Sequence, residues 1–263
     1  MRQLSLAVLL FAGSASAQTW NSNAGGWNTG YGTVYGSFGQ AMATQNIYNT
    51  MQLNMQRSMM RAAMVKKWGE AAVAKAEREA RAGKAPAADG PQIAAPPPAS
   101  KGIGKFKSDK SVNVGKLLSD NLAGTKEEKQ LIGQVFAATK QAFESEPDTK
   151  PMRNNIAGAL AFFIIGNVTI YRDAEEPSDE VSLAIFQALD QGVDTTPEFA
   201  KLSNKEKQTL YDMLLGFTGL PLAIYADAKQ RGDAAQVKQA QELSGQLLQL
   251  VLKVDPSTIQ LTN

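Results

Sequence analysis

Residues 156 to 171 read Ile156-Ala157-Gly158-Ala159-Leu160-Ala161-Phe162-Phe163-Ile164-Ile165-Gly166-Asn167-Val168-Thr169-Ile170-Tyr171, a run in which Asn167 and Thr169 are the principal polar side chains. A bilayer span needs about 20 apolar residues, and this run falls short of that between closely flanking Arg153 and Arg172. It therefore reads as the buried central helix of a helical domain, expected over about Pro151 to Arg172. Ala157, Gly158, Ala161 and Gly166 offer small side chains on which neighbouring helices can close.

On either side of this run, the pattern is helix after helix. Thr125 and Glu128 form a capping box, opening a helix that carries Leu131, Ile132, Val135, Phe136 and Phe143 to about Glu146. A shorter segment, Val114 to Leu122, precedes it. Downstream, Ser178 caps a helix with Asp179 and Glu180 in its first turn and Val181, Ile185, Phe186 and Leu189 directed inward, ending at Gly192. Ser203 and Glu206 make a second capping box before Leu210, Tyr211, Leu214 and Leu215. Pro221 lacks a backbone donor and clashes with the preceding turn, so a kink or break is expected near Gly216, Gly219 and Pro221. The last helix starts at Asp233, runs through Val237, Leu243, Leu247, Leu248 and Val251, and stops at Asp255-Pro256. Only residues 258 to 262 alternate as a strand would. The fold class is all-α: an irregular antiparallel bundle of about five helices over residues 111–263.

The N-terminal part is organised differently. Residues 1–17, with Arg2, an apolar run from Leu4 to Ala12 and then Ala15-Ser16-Ala17, have the layout of a secretory signal cleaved after Ala17. That address implies a periplasmic or secreted protein without a transmembrane span in its mature form. Residues 18–39 space Trp20, Trp27, Tyr31, Tyr35 and Phe38 among glycines and small polar residues, too little apolar surface to offset ordering, so disorder is expected. Residues 40–83 are rich in Ala, Met, Gln, Lys and Arg, with only Gly69 interrupting, and predict one long helix. At 100° per residue Ile47, Met51, Met55, Ala62 and Val65 fall on one stripe and Met42, Leu53, Met60 and Met64 on the opposite one. A helix with two apolar faces can dock on its own domain with one and meet another chain with the other. Residues 84–110, with Pro86, Pro91, Pro96-Pro97-Pro98 and four lysines from Lys101 to Lys110, read as an extended linker holding the arm away from the domain.

Charge divides the same way. Residues 18–110 carry 12 Lys and Arg against 5 acids, whereas residues 111–263 carry 14 against 20. A basic arm suits contact with an anionic envelope surface, or folds back on the acidic domain, or keeps each half soluble by its own charge. The cations are dispersed, which gives no specific nucleic-acid site.

The chain has no His and no Cys. This removes Ser-His-Asp and Cys-His catalysis, disulfides, and the imidazole or thiolate ligands of ordinary zinc, haem and copper centres. There is no phosphate loop, and Gly102-Ile103-Gly104 lacks the third glycine of a dinucleotide fingerprint. A carboxylate pair or a Ser-Lys dyad remains open. Glu144, Glu146, Asp173, Glu175, Glu176, Asp179 and Glu180 lie at helix ends and in polar loops, and Asp212, between Tyr211 and Met213, is expected on a solvent face. Met51, Met55 and Met59 on one face, with Met60 and Met64 on the other, could hold Cu(I), or fill a helix interface. Asn154, Asn155 and Asn167 either line a cleft or bond to backbone. No catalytic residue, cofactor or metal set is assigned from the sequence.

From Asn154 to Asn263 the chain, through Asn155-Ile156-Ala157-Gly158-Ala159-Leu160-Ala161-Phe162-Phe163, Lys207-Gln208-Thr209-Leu210-Tyr211 and Asp255-Pro256, resembles an uncharacterised family of exported bacterial helical proteins. The resemblance implies a bacterial origin and carries over no activity or site residue. The functional expectation is a non-enzymatic exported protein whose helical domain binds a protein partner or itself, with the basic arm tethering it. The alternative is a polysaccharide- or small-molecule-acting domain with a carboxylate site.

Overall fold

The computed structural model describes residues 38–84, 89–92 and 99–261, with side chains of the first helix described from Tyr48 onward. The signal expected at 1–17 and most of the Gly/aromatic segment at 18–39 lie outside these residues. The described residues form nine α-helices: α1 (Phe38–Trp68), α2 (Glu70–Arg81), α3 (Val114–Leu122), α4 (Lys126–Ser145), α5 (Ile156–Arg172), α6 (Asp179–Thr195), the single turn α7 (Pro197–Ala200), α8 (Asn204–Arg231) and α9 (Ala234–Leu252). Two 3-10 turns, Pro147–Met152 and Pro256–Thr258, complete them, and the described residues contain no strand. The all-α class holds.

The apolar run is the hub. α5 packs against α6, α8 and α9, and Ile156, Ala157, Leu160, Phe163, Ile164 and Val168 are all buried. It begins later than expected, at Ile156, because Pro147 and Pro151 withhold backbone donors and the residues before it form a 3-10 turn instead. Asn155 then caps it, its Oδ1 accepting from the Ala157 N–H at 3.0 Å. Gly158 allows that turn to lie against the helix, since a Cβ there would sit 2.2 Å from the Met152 carbonyl oxygen. At the other end Asp173 takes a left-handed conformation, and the N–H groups of Asp173 and Ala174 return to Ile170 and Thr169 in a Schellman closure.

α8 runs unbroken through Pro221, so the break expected there does not occur. Pro221 cannot donate to the carbonyl of Phe217 one turn earlier. The side-chain amide of Asn167 on α5 donates to that carbonyl at 3.3 Å, and to its own helix at Phe163 O at 2.9 Å. Tertiary packing thus supplies a donor where the helix lacks one. α8 is the one helix among the described residues long and apolar enough by composition to cross a membrane, yet most of its apolar window is buried in the bundle. α6 likewise passes the expected stop at Gly192, which is buried within it, and runs to Thr195 ahead of Pro197.

Residues 101–110 do not act as a spacer. Lys105 bridges antiparallel to Asn155, with Phe106 N–H donating to Asn154 O at 3.0 Å and Ile156 N–H to Gly104 O at 3.1 Å. The Phe106 ring meets Tyr211 edge-on at 5.2 Å. Ile103 N–H donates to Asp194 Oδ1 at 2.8 Å, Lys107 N–H to Asn204 Oδ1 at 3.1 Å, and the Lys207 ammonium donates to Ile103 O at 2.6 Å. One buried aromatic, Phe106, and side-chain acceptors on the bundle turn a lysine- and glycine-rich stretch into a strap.

Gly69 overturns the expectation of one long helix over 40–83. At φ 84°, ψ 154° it occupies a region open essentially to glycine alone, so α2 turns away from the line of α1. Arg61 and Glu77 are sixteen residues apart, about 24 Å along a straight helix, yet Arg61 Nε lies 2.7 Å from Glu77 Oε1. Nor is the arm held off the domain. α1 lies along α6 and touches α9, burying Tyr48, Met51 and Met55.

Candidate functional site

Two places combine polar chemistry or apolar exposure in a way that bears on function. The first lies between α4 and α8. Lys140 on α4 places its ammonium 2.6 Å from Asp212 Oδ1 and 3.9 Å from Glu144 Oε1, while the Tyr211 hydroxyl donates to Glu144 Oε1 at 3.2 Å. Asp212 is buried, with 3% of its side chain exposed, so its expected place on a solvent face is corrected. The reason is α8's length: wedged between α4 and α5, it has almost no solvent side over Leu210 to Pro221.

Burial pushes the Asp212 carboxyl above its ordinary range, against the opposing pull of the Lys140 ammonium and the Gln208 amide. The Tyr211 hydroxyl is driven up too, first by burial and then by the Glu144 charge. Outside the cluster a shallow hollow of about 480 Å³ is lined by Phe136, Ala137, Lys140, Gln141, Glu144 and Ser145. A glycosidase needs an acid and a second carboxylate flanking open space for the sugar. Here a lysine stands between the two carboxylates and covers the buried one. As it stands, the arrangement ties α4 to α8.

The second place is α1. Its stripe of Met51 and Met55 is buried, so those thioethers are engaged in packing, whereas Met59 and Met60 are exposed and Met64 is half-buried. The five methionines do not converge on one point. Opposite the buried stripe, Leu53 and Met60 are each 56% exposed, the largest values among the big apolar side chains of the described residues. Leu183 on α6 and the pair Leu117 and Leu131 on the α3–α4 hairpin are also exposed.

The other residues singled out in the sequence are structural or solvated. Asn155 spans two helices, its amide donating to Asp190 Oδ1 at 2.9 Å, and Asn154 holds a left-handed turn. Asp173 pairs with Lys229 and accepts from Tyr225. Glu175, Glu176 and Glu180 are exposed, Asp179 is half-buried in the first turn of α6, and Glu146 precedes the 3-10 turn. Gly102 turns the strap at φ 72°. Among the described residues no three His, Cys, Asp or Glu side chains are placed to hold a metal ion. Sequence reasoning missed Lys140 and Tyr211 as members of one cluster with Asp212, since nothing local relates Lys140 to an acid 72 residues away.

The chain belongs to the family of unknown function DUF6683, whose model matches residues 1–263. The expectation of an uncharacterised family, read from residues 154–263, thus holds over the whole chain. No curated protein and no solved structure matches it.

Proposed function

We propose that this member of the family is a non-enzymatic exported protein, a helical module that binds a protein partner or a second copy of itself through its basic N-terminal hairpin. One observation carries the reading: α1 uses one apolar face to dock on the bundle and leaves Leu53 and Met60, on the opposite face, to solvent. Exposed large apolar residues on a cationic helix are costly to solubility unless a partner covers them. Periplasmic or extracellular placement follows from the signal-like layout of residues 1–17.

The test compares the full chain with Leu53→Gln/Met60→Gln by native mass and by retention of envelope proteins on each as bait. The reading expects the wild type to be oligomeric or to retain partners that the variant loses. A monomer whose retained set is identical to the variant's overturns it.

A second reading, a carboxylate site acting on a polysaccharide or small molecule, is supported by the raised carboxyl of Asp212 beside Glu144. It requires Lys140 to swing away. Loss of any detected polysaccharide turnover in Asp212→Asn, with folding intact, would favour it.

A further inference from the structure

The helix that docks on the bundle and the helix it docks on have opposite and unmixed charge. Residues 38–69, which span α1 and its turn, contain Arg57, Arg61, Lys66 and Lys67 and no acid. Residues 173–200, which span α6 and its flanks, contain eight acids and no Lys or Arg. Within one chain, this polarity is only partly used. Arg61 is taken by Glu70 and Glu77 of α2, and Asp173 by Lys229. Arg57 and Lys66 form no ion pair among the described residues, nor do Glu175, Glu176, Asp179, Glu180 and Glu198.

Each ridge also has an apolar centre. On the outer face of α1, Leu53, Arg57, Met60 and Met64 recur at helical spacing, and on α6 Glu180, Leu183 and Gln187 do the same. Because α1 and α6 are neighbours in the fold, a two-fold axis that sets α1 of one protomer on α6 of another sets the second α1 on the first α6 as well. We propose that the α1–α6 face is the contact surface of a homodimer, with the cationic ridge of each protomer on the anionic ridge of its partner. Pairing α1 with α1 would oppose Arg57 to its own copy. An anionic bilayer would attract α1 but repel the adjacent acids of α6, whereas a second copy satisfies both ridges at once.

This proposal rests on the self-association branch of the function above and adds the face. It is tested by sedimentation velocity of the full chain at 50 and 500 mM salt. Wild type is expected to form a dimer that weakens at least tenfold at the higher salt. Leu53→Gln/Met60→Gln, with helicity and Tm unchanged, is expected to be monomeric at the same concentration. The charge reversals Arg57→Glu and Glu180→Lys each weaken the homodimer, but their equimolar mixture restores a dimer, because in the mixed pair both ionic contacts are again opposite in sign. A dimer indifferent to all these substitutions overturns the assigned face while leaving self-association standing. A strictly monomeric wild type overturns both the dimer and the self-association branch. Sedimentation of that monomer with phosphatidylglycerol vesicles would assign the ridge to a bilayer instead.

Discussion

The side-chain amide of Asn167 donates to the Phe217 carbonyl, the acceptor that the missing N–H of Pro221 cannot reach. Two residues that look unfavourable when taken separately, a polar side chain in the apolar helix and a proline inside the longest buried one, offset each other. Asn167→Leu is therefore expected to cost about 1–2 kcal/mol more with Pro221 present than in a Pro221→Ala background, where a backbone donor returns. Urea denaturation of the four proteins of the cycle measures the difference, and equal costs in both backgrounds would exclude the pairing.

Lys140 and Asp212 make a second, electrostatic prediction. Replacing Lys140 by Met leaves a buried carboxylate without its cation, at an expected loss of roughly 2–4 kcal/mol at neutral pH. The double variant Lys140→Met/Asp212→Leu is expected to recover most of it. An unchanged Tm in the single variant would show that the pair carries no stability.

The same carboxyl sets a pH dependence. Its folded value is raised above the ordinary 3.8, so the native state binds the proton more tightly than the unfolded chain does. Its contribution is thus greatest below 3.8 and falls as pH climbs through the raised folded value. Asp212→Asn lacks this term, so its stability relative to wild type should improve as pH rises across that window. A difference that is flat with pH, or runs the other way, contradicts the assignment.

Glycine packing separates two kinds of close approach. A Cβ at Gly158 would meet the Met152 carbonyl oxygen, which no side-chain change can move, whereas at Gly216 it would meet the Leu118 Cδ1 at 2.4 Å. Both Gly158→Ala and Gly216→Ala are expected to destabilise, by about 1–3 kcal/mol. Leu118→Ala should relieve the second substitution, and Met152→Ala should not relieve the first. Thermal melts of the single and paired variants distinguish the cases.

The turn at Gly69 can be read as a distance. The chain has no cysteine, so spin labels at Ala62→Cys and Ala76→Cys report unambiguously. A straight helix would hold those positions about 21 Å apart along its axis. The hairpin brings them closer, and Gly69→Ala, which disfavours φ 84°, should lengthen the distance towards the straight value.

The helices were legible in the sequence because their signals are local. Thr125 with Glu128 and Ser203 with Glu206 form the capping boxes their spacing implies, and Ser178 caps as expected. What escaped depends on contacts distant in sequence. Pro221 alone argues for a kink or break, and the donor that Asn167 supplies to the Phe217 carbonyl in the unbroken α8 comes from another helix. Asp212 was expected on a solvent face, yet α8 is wedged between α4 and α5 and the residue is buried. Gly69 was seen, but whether an isolated glycine merely weakens a helix or turns it depends on what awaits on the other side, here Arg61 between Glu70 and Glu77. The strap was hidden for the same reason, since proline and lysine composition says nothing of one phenylalanine fitting against Tyr211.

The strap also constrains the order of events during synthesis. Its bonds join residues 103–109 to Asp194, Asn204, Lys207 and Gln208, spans of 91 to 104 residues. A chain made from its N-terminus must keep this early segment waiting, unsatisfied, until α8 has been synthesised. Among the first residues of the bundle to be produced are thus some of the last to find their places, and the interval is one in which Phe106 and its exposed backbone are open to a chaperone.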